Sequence, residues 1–339
     1  MVSDPRAGGE ADTHVPMRGC AFVGQSGACP DPAEAPGRYC FWHDPGTDKR
    51  GADLKARLEA LVAAGRSLEG FNLRGADLRD AHLTHKVKGR SADFRNADLS
   101  RADLRGAHLF HIDLRGASLL KADLRDANLN YAQMEGANLL GADLRDTRIE
   151  QIDWGRYLMQ EAAAERLRRD GRVFDANQLH GEAEEVYRAV SLAVQERGHS
   201  NLAGQFYVKQ MVMRRKQMPL WSKERFWSRV VDLLCGYGER ADRVITFSLL
   251  VILGSGLAYF LAGVDSREGP VGFSRSLGAL GNLSEYLTCV YFSVITFTTA
   301  GFGDILPQGP IRALAATEAF VGAFSMSLFV VVFVKRMTR

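Results

Sequence analysis

The sequence is short of cysteine, of net charge and of an apolar N-terminus. Its 43 Lys and Arg residues nearly balance 40 Asp and Glu, so bulk charge gives no electrostatic basis for binding nucleic acid. Five cysteines in 339 residues, three of them within residues 20–40, do not fit a secreted disulfide framework and favour a reduced compartment and a metal. Residues 1–12 contain acidic side chains and no apolar core, so we expect no secretory signal peptide there.

The first fifty residues are rich in glycine and proline. Residues 1–18 show no hydrophobic period, so we expect them to be disordered. In residues 19–50, a Cys-x-x-His pair allows a thiolate and an imidazole to bind one ion from a tight turn, and two further thiolates complete a tetrahedral zinc site. A loop-rich segment of this size usually needs such a cross-link. The predicted ligands of a structural Zn²⁺ are Cys20, Cys29, Cys40 and His43.

The spacing of these ligands leaves alternatives open. Gaps of eight and ten residues between the cysteines are not a standard zinc spacing, so His14 and Asp44 are alternative ligands. A linker with free thiols and no metal is the other alternative.

From Leu68 to Trp154 the sequence repeats every five residues. A large apolar residue fills one position of each pentad, and alanine fills most positions two residues earlier. Five is neither a helical nor a strand period, and a fixed repeat predicts a solenoid of stacked coils. We interpret a change of phase near Lys88–Arg90 as a one-residue slip. The large residues are Leu73, Leu78, Leu83, Phe94, Leu99, Leu104, Leu109, Leu114, Leu119, Leu124, Leu129, Met134, Leu139, Leu144, Ile149 and Trp154.

This Ala-(Asp/Asn)-Leu pattern resembles the pentapeptide-repeat family. The resemblance implies a right-handed, four-sided β-helix, in which each pentad forms one side and the leucine and alanine point inward. Some members of that family resemble DNA and bind topoisomerases, which requires an acidic face. Residues 66–154 contain 14 Lys and Arg against 14 Asp and Glu, so we expect a spacer or oligomerisation module instead of a DNA mimic.

Residues 155–240 lose the five-residue period and are typical of helices. We expect Tyr157–Arg169 to cap the solenoid, and residues 176–197 and 201–218 to form a cytosolic helical hairpin. In residues 221–240, tryptophan and phenylalanine alternate with basic residues just before an apolar run. This pattern indicates an amphipathic helix at the cytoplasmic membrane interface. The basic and aromatic residues are Lys209, Arg214, Arg215, Lys216, Trp221, Lys223, Arg225, Phe226, Trp227 and Arg229.

Two apolar runs are long enough to cross a membrane. Val244–Val264 has no charge, and the second run, within residues 311–335, is interrupted only by Glu318. Basic clusters flank both runs, so the positive-inside rule places both termini in the cytoplasm. The segment between the runs then re-enters the membrane from outside.

Between these runs, two glycines alternate with larger residues after a helix-like stretch. Glycine reaches backbone angles that turn successive carbonyl groups to one side, and several chains meeting at an axis would stack rings of oxygen. Non-helical backbone at membrane depth is tolerated where it lines a cavity. The predicted filter residues are Thr298, Thr299, Ala300, Gly301, Phe302, Gly303 and Asp304.

Thr299 to Asp304 resembles the selectivity filter of tetrameric potassium channels, whose usual form is Thr-Val-Gly-Tyr-Gly-Asp. Phe302 stands at the tyrosine position, and some members also carry phenylalanine there. Ala300 stands at the valine position and loses packing behind the filter. The resemblance implies a homotetramer in the plasma membrane that conducts K⁺. A non-selective cation channel and a non-conducting, membrane-anchored scaffold are the alternatives.

The second apolar run contains three further candidate features. Gly322 lies in mid-span, where it permits either a hinge or close helix packing. Helical spacing predicts that Met326, Phe329 or Val330, and Phe333 line and narrow the pore. We expect Glu318 to bond to pore-loop groups behind the filter, and snorkelling to the interface is its alternative.

The predicted fold is therefore multi-domain, and nothing in the sequence indicates an enzyme, a small-molecule substrate or a nucleic-acid partner. The expected partners are further copies of the chain and membrane lipids. The segments are 1–18 (disordered), 19–50 (zinc), 51–154 (β-helix), 155–220 (helical hairpin linker), 221–240 (interfacial helix) and 241–339 (all-α pore domain), with spans at 244–264 and 311–335 and pore helix and filter at 285–304.

Overall fold

The computed structural model of the chain describes residues 19–34, 36–51, 53–84, 91–267 and 269–337, and it divides between residues 197 and 198 into two compact units. We call residues up to 197 the repeat unit and those from 198 the membrane unit. The expected disorder of residues 1–18 lies outside the described residues.

The repeat unit begins with a small hairpin and a helix. Strands β1 (Val23–Gly24) and β2 (Gly27–Ala28) pair antiparallel, and helix α1 spans Leu54–Ala63. Assigning all of residues 51–154 to the β-helix was therefore wrong at its start. Leu54, Leu58 and Val62 are buried at four-residue spacing, which forms one apolar helix face instead of a pentad side.

The β-helix is built from parallel bridges between residues one coil apart. From residue 93 onward, bridged residues lie 20 positions apart, so four pentads make one coil. Before the interruption the offset is 26, as between Asn72 and Asp98. The first coil therefore holds six extra residues, which are one whole pentad and the one-residue slip expected from the sequence. The sequence showed only the change of phase, because a whole pentad leaves the period unchanged.

Leucine and alanine fill the interior of the coils, as predicted, and almost all are fully buried. The turn at each corner carries a residue with positive φ, two positions after the large one, for example Gly75 at +68° and Asn96 at +57°. Six of these corners are glycine, at 70, 75, 106, 116, 136 and 141, which is the sequence signal for the turn.

The outer surface carries a ladder of Asp-x-Arg pairs. Arg105 donates to Asp103 at 2.6 Å in its own coil and lies 3.7 Å from Asp123 in the next. The same arrangement recurs through four coils, so carboxylates and guanidinium groups alternate along one side. The members of the ladder are Asp77, Arg79, Asp103, Arg105, Asp123, Arg125, Asp143 and Arg145.

The last coil is covered by the chain that follows it, as the sequence predicts. The N–H of Met159 donates to the carbonyl of Ala137 at 3.2 Å, and Leu158 is buried. Helix α2 (Met159–Arg169) then packs against α3 (Val173–Glu196). The two helices expected to form the linker hairpin are α3 and α4 (Ser200–Gln217), and they fall in different units.

The membrane unit contains α4, α5 (Lys223–Cys235), α6 (Ala241–Ala262), α7 (Ala279–Phe297) and α8 (Ile311–Met337). Residues 241–262 and 311–335 are helices long and apolar enough to cross a membrane. Val264 does not belong to the first span, because the helix ends at Ala262 and the next residue, Gly263, has a φ of +83°. Strands β3 (Val264–Ser266), β4 (Gly269–Val271) and β5 (Ile305–Leu306) form a sheet in the order β4-β3-β5.

Candidate functional site

The predicted filter follows directly on the last turn of α7. The N–H groups of residues 298–301 turn back and donate to carbonyl oxygens of Val294, Ile295 and Thr296, at 2.9 to 3.3 Å. The backbone donors of residues 298–301 therefore face the helix. In the described part of the chain, no hydrogen-bond donor reaches the carbonyl oxygens of residues 299–303. In the first half of the segment the N–H groups are thus bonded to α7, while the carbonyl oxygens that follow stay open to a ligand.

The filter backbone alternates in handedness. Thr299, Gly301 and Gly303 have φ of +56°, +52° and +71°, whereas Ala300 and Phe302 do not have positive φ. This alternation turns successive carbonyl groups to the same side. Sequence reasoning found the two glycines but missed Thr299, for which a left-handed backbone costs about 1–2 kcal/mol. Strain of this kind persists where the surrounding structure enforces it, often at functional sites.

The C-terminal end of the predicted filter is held by two contacts that the sequence did not predict. The hydroxyl of Tyr291 on α7 donates to the carboxylate of Asp304 at 2.9 Å, and the N–H of Arg267 donates to the Asp304 carbonyl at 3.3 Å. Strand β5 follows at once and pairs with β3. Strands of two or three residues leave no periodic signal in a sequence.

Glu318 lies inside the membrane unit, with 2% of its surface exposed. Its carboxyl group accepts hydrogen bonds from the hydroxyls of Tyr259, at 2.5 Å, and Ser293. Ser255 is a third hydroxyl partner. These groups belong to α6, α7 and α8, so one carboxyl group joins three helices. A snorkelling side chain would be exposed at the helix end, and Glu318 is not.

Gly322 packs directly on the end of α7. A Cβ atom at this position would overlap the backbone carbonyl of Phe297. The close approach matches the packing alternative for this glycine, and it means that Gly322→Ala would disturb the filter helix as well as any bending of α8.

The other α8 candidates separate into two faces. Phe329 packs against a cluster that includes Cys235, Val244 and Val332. Val330 is 57% exposed, and Met326 and Phe333 are exposed on the same side. Of the alternatives Phe329 and Val330, Val330 therefore has the more open position.

Family comparisons agree with this division of the chain. Residues 246–339 match the family model described as an ion channel, and eight copies of the pentapeptide-repeat model match within residues 89–109 and 107–146. The chain combines pentapeptide repeats with an ion-channel domain. The ion-channel match and the two apolar helices indicate a membrane location. A comparison with curated proteins gives no match.

Three solved pentapeptide repeat proteins are similar to parts of the chain. Rfr23 from the cyanobacterium Cyanothece 51142 is 34% identical over 26% of this chain and 56% of its own, with a TM-score of 0.24. A protein of the Arabidopsis thaliana thylakoid lumen is 25% identical over 35% and 81%, with a TM-score of 0.20. HetL from a Nostoc species is 35% identical over 26% and 34%, with a TM-score of 0.13. This chain spans just over half the length of Rfr23.

The ion-channel domain yields a first prediction at Glu318. Glu318→Gln keeps the shape of the side chain but replaces one acceptor oxygen by an NH₂ donor that faces hydroxyl groups. A buried polar group that loses its hydrogen-bond partner costs about 1–3 kcal/mol, so we expect a lower unfolding temperature and altered ion flux. Thermal unfolding in detergent and liposome flux measure the two effects. Thr317→Ala, at an exposed neighbour, is the control, and equal behaviour of both variants would contradict a supporting role for Glu318.

Ahead of the pentapeptide repeats, the four predicted metal ligands converge. All four ligand atoms lie within 4.8 Å of one another. The sulfur atoms of Cys29 and Cys40 are 3.8 Å apart, and Nδ1 of His43 lies 3.2 Å from the Cys40 sulfur and 3.6 Å from that of Cys20. A tetrahedral zinc with Zn–S bonds of about 2.3 Å places two sulfurs about 3.8 Å apart. Asp44 is bonded to Gly46 and Thr47 instead, and His14 lies outside the described residues.

The surroundings of the cluster prepare His43 to bind a metal. Its Nε2 donates to the carbonyl of Glu69 at 3.0 Å, which leaves Nδ1 free of a proton and facing the thiols. Burial lowers the pKa of His43, which keeps the imidazole neutral. Phe22 stacks on the ring at 4.0 Å.

The three thiols need a cation to ionise together. Burial raises the pKa of Cys40 to about 12 and also raises the pKa of Cys29. Burial acts on Cys20 in the same direction, but N–H groups of Cys40 and Phe22 bond to its sulfur and bring its pKa below the usual value. The cluster therefore fits a divalent metal that neutralises thiolate charge.

The same cluster is attached to the first coil of the β-helix. Glu69 accepts hydrogen bonds from the N–H groups of Gln25, at 2.9 Å, and Ser26, at 3.0 Å. The N–H of Asn72 donates to the carbonyl of Trp42 at 2.7 Å. The metal segment thus covers the N-terminal end of the solenoid.

Proposed function

We propose that four copies of this chain form a K⁺-selective channel with residues 298–304 as its filter. The observation that carries the proposal is the alternating backbone of this segment. The N–H groups of residues 298–301 donate to α7, and among the described residues no donor reaches the carbonyl oxygens of residues 299–303. One chain offers a single row of oxygens, and a cation stripped of water needs rings around it. Closed rotational symmetry supplies those rings.

The surface of α7 supports assembly with further copies. Five of its exposed residues recur three or four positions apart and form one apolar stripe on the helix that leads to the filter. We propose that a second copy of the chain covers this stripe, which would bring the filter segments of the two copies together. The stripe consists of Leu280, Leu283, Leu287, Tyr291 and Val294.

The topology we propose places both termini in the cytoplasm and the channel in the plasma (inner) membrane. The basic residues of α4 and α5 precede α6, and Lys335 lies at the end of α8. Its Nζ is 2.7 Å from the carboxylate of Glu239, which precedes α6, so both basic flanks lie on one side of the membrane. On that side, Met326, Val330 and Phe333 are the residues we propose to line and narrow the pore.

Ion flux into liposomes tests the function. Purified protein in liposomes is expected to pass K⁺ well above Na⁺, and light scattering of the detergent complex is expected to give the mass of four chains. Equal K⁺ and Na⁺ flux would favour the non-selective channel, because Ala300 provides less packing behind the filter than valine does. Absence of flux from a tetrameric preparation would favour the membrane-anchored scaffold.

We also propose that Cys20, Cys29, Cys40 and His43 hold one structural Zn²⁺ per chain. The sulfur–sulfur and sulfur–nitrogen distances and the hydrogen-bonded His43 support it. Elemental analysis of protein expressed with adequate zinc is expected to give one equivalent, and less than about half an equivalent would favour free thiols.

The repeat unit is proposed to regulate or assemble the channel without entering the conduction path. The leucine and alanine side chains of its repeats are buried in its own coils, and Asp-x-Arg pairs line one outer side. Deleting residues 1–197 is therefore expected to preserve the K⁺ to Na⁺ flux ratio while altering total flux or tetramer yield. A truncated tetramer that passes both ions equally would contradict this division of roles.

A further inference from the structure

The turn between α5 and α6 is held in an unusual conformation. Gly236, Tyr237 and Gly238 all have positive φ, at +54°, +57° and +81°, and we call residues 236–240 the elbow. The Tyr237 hydroxyl bonds to Ser228 at 2.8 Å and accepts from Arg215 of α4 at 2.9 Å. A left-handed backbone is unfavourable for tyrosine, so these contacts hold the elbow in a shape that it would not adopt alone.

Lys335, at the end of α8, binds to this elbow. Its Nζ lies 2.7 Å from Oε1 of Glu239 and 5.3 Å from the centre of the Tyr207 ring on α4. The Lys335 and Glu239 side chains are 36% and 14% exposed, so water screens the pair only in part. The end of α8 is thus attached to α4 and to the start of α6 through one ammonium group.

Glu239 is positioned by the backbone of α4. Its second carboxylate oxygen lies so close to Gly204 that a Cβ atom there would overlap it. A larger, uncharged residue at 204 would push the carboxylate aside without changing the charge of the protein. Gly204 and Tyr207 therefore form a seat on α4 for the pair.

An apolar contact accompanies the ion pair. Val332 of α8 is buried against Cys235, Ala241 and Val244, which lie on both sides of the elbow. The opposite face of α8 carries Val330, Phe333 and Val334, each about half exposed. The last turns of α8 therefore have one face attached to the elbow and an apolar face turned away from it.

We propose that the Lys335–Glu239 pair is a latch that holds the cytoplasmic end of the pore open. This inference rests on the proposed channel function. If the face bearing Val330 and Phe333 lines the axis, attachment of Lys335 to the elbow draws it away from the axis. Without the latch, the apolar faces of four α8 helices gather at the axis and close it by dewetting. Because the seat for the latch lies on α4, any event that moves α4 changes the balance of the two states.

Charge reversal tests the latch. Lys335→Glu and Glu239→Lys each place two like charges together. A partly exposed ion pair shifts the equilibrium between open and closed states by up to about five-fold in one subunit, and four subunits act together. Each variant is therefore expected to lower K⁺ flux at least about five-fold. The double variant, with charges exchanged, is expected to recover at least half of the wild-type flux. Arg275→Gln removes an exposed positive charge of the membrane unit that lies outside α4, α5 and the elbow, and it is the control.

A second variant separates the latch from charge. Gly204→Ala displaces the Glu239 carboxylate and is expected to lower flux, whereas Gly254→Ala, in α6 with no atom near the added methyl group, is expected to leave it unchanged. Size-exclusion chromatography verifies that each variant is assembled as the wild type is.

The outcomes distinguish the two proposals. No flux from the wild-type protein would contradict the channel function. If both single reversals keep the wild-type flux, the latch alone is overturned. The same holds if the single reversals lose flux and the double exchange does not restore it. Higher flux in the single reversals would also overturn it, because the pair would then hold the pore closed.

Discussion

Gly303→Ala is expected to abolish K⁺-selective flux. Gly303 has φ of +71°, and a Cβ atom added there meets no atom within 4 Å, so the effect comes from the backbone and not from a collision. An alanine favours negative φ, which would turn a carbonyl out of the row and remove one ring of oxygen from the proposed tetramer. Liposome flux of K⁺ and Na⁺ is the measurement.

Gly309→Ala is the matched control for this variant. Gly309 also has positive φ, at +54°, and also has open space around it, but it lies beyond the filter. It carries the same kind of backbone penalty without touching the row of carbonyl groups. If both variants lose selectivity to the same degree, general destabilisation explains the result and residues 298–304 have no special role.

Cys40→Ser is expected to reduce bound zinc to well below half an equivalent and to weaken the N-terminal end of the β-helix. Cys40 contacts both Cys29 and His43, so its loss removes the central ligand of the cluster. Metal-binding free energy is also folding free energy in small metal segments, so the cover on the first coil should open. Metal analysis and proteolysis between residues 19 and 50 measure the two effects.

Cys235→Ser controls for the loss of a buried thiol. Cys235 lies in the membrane unit, where its sulfur bonds to the carbonyl of Val231 at 3.4 Å, and a serine hydroxyl can make the same bond. It is expected to keep one equivalent of zinc. Full zinc in Cys40→Ser would remove Cys40 from the ligand set. Because the pKa of Cys40 is about 12 without metal, zinc uptake near pH 7 should also release protons.

Repeats and apolar runs made the main architecture predictable. The five-residue period fixed the inward leucines and alanines, and the runs fixed α6 and α8 to within a few residues. Both features place apolar side chains at many positions in a regular pattern, so single exceptions do not hide them. The glycines at 301 and 303 were equally visible, because a positive φ selects that residue.

Features that depend on one pair of distant residues were not predictable. The bond from Tyr291 to Asp304 and the ion pair between Lys335 and Glu239 join residues whose proximity follows only from the fold. Helix α1 was missed because it is short and directly precedes a strong repeat. The one-residue slip was visible, but the whole pentad inserted with it was not, because a pentad leaves the five-residue register unchanged.

The 20-residue spacing of the bridges sets a rule for how the solenoid can change in length. Adding or removing a single pentad would move every later pentad to the neighbouring side of the solenoid. Each later Asp-x-Arg pair would then no longer lie above the pair in the preceding coil. Only a whole coil preserves the ladder, and each coil adds about 4.8 Å, the spacing of neighbouring strands. The solenoid is therefore a spacer of discrete lengths, so duplicating or deleting residues in blocks of 20 should lengthen or shorten it without altering its side walls.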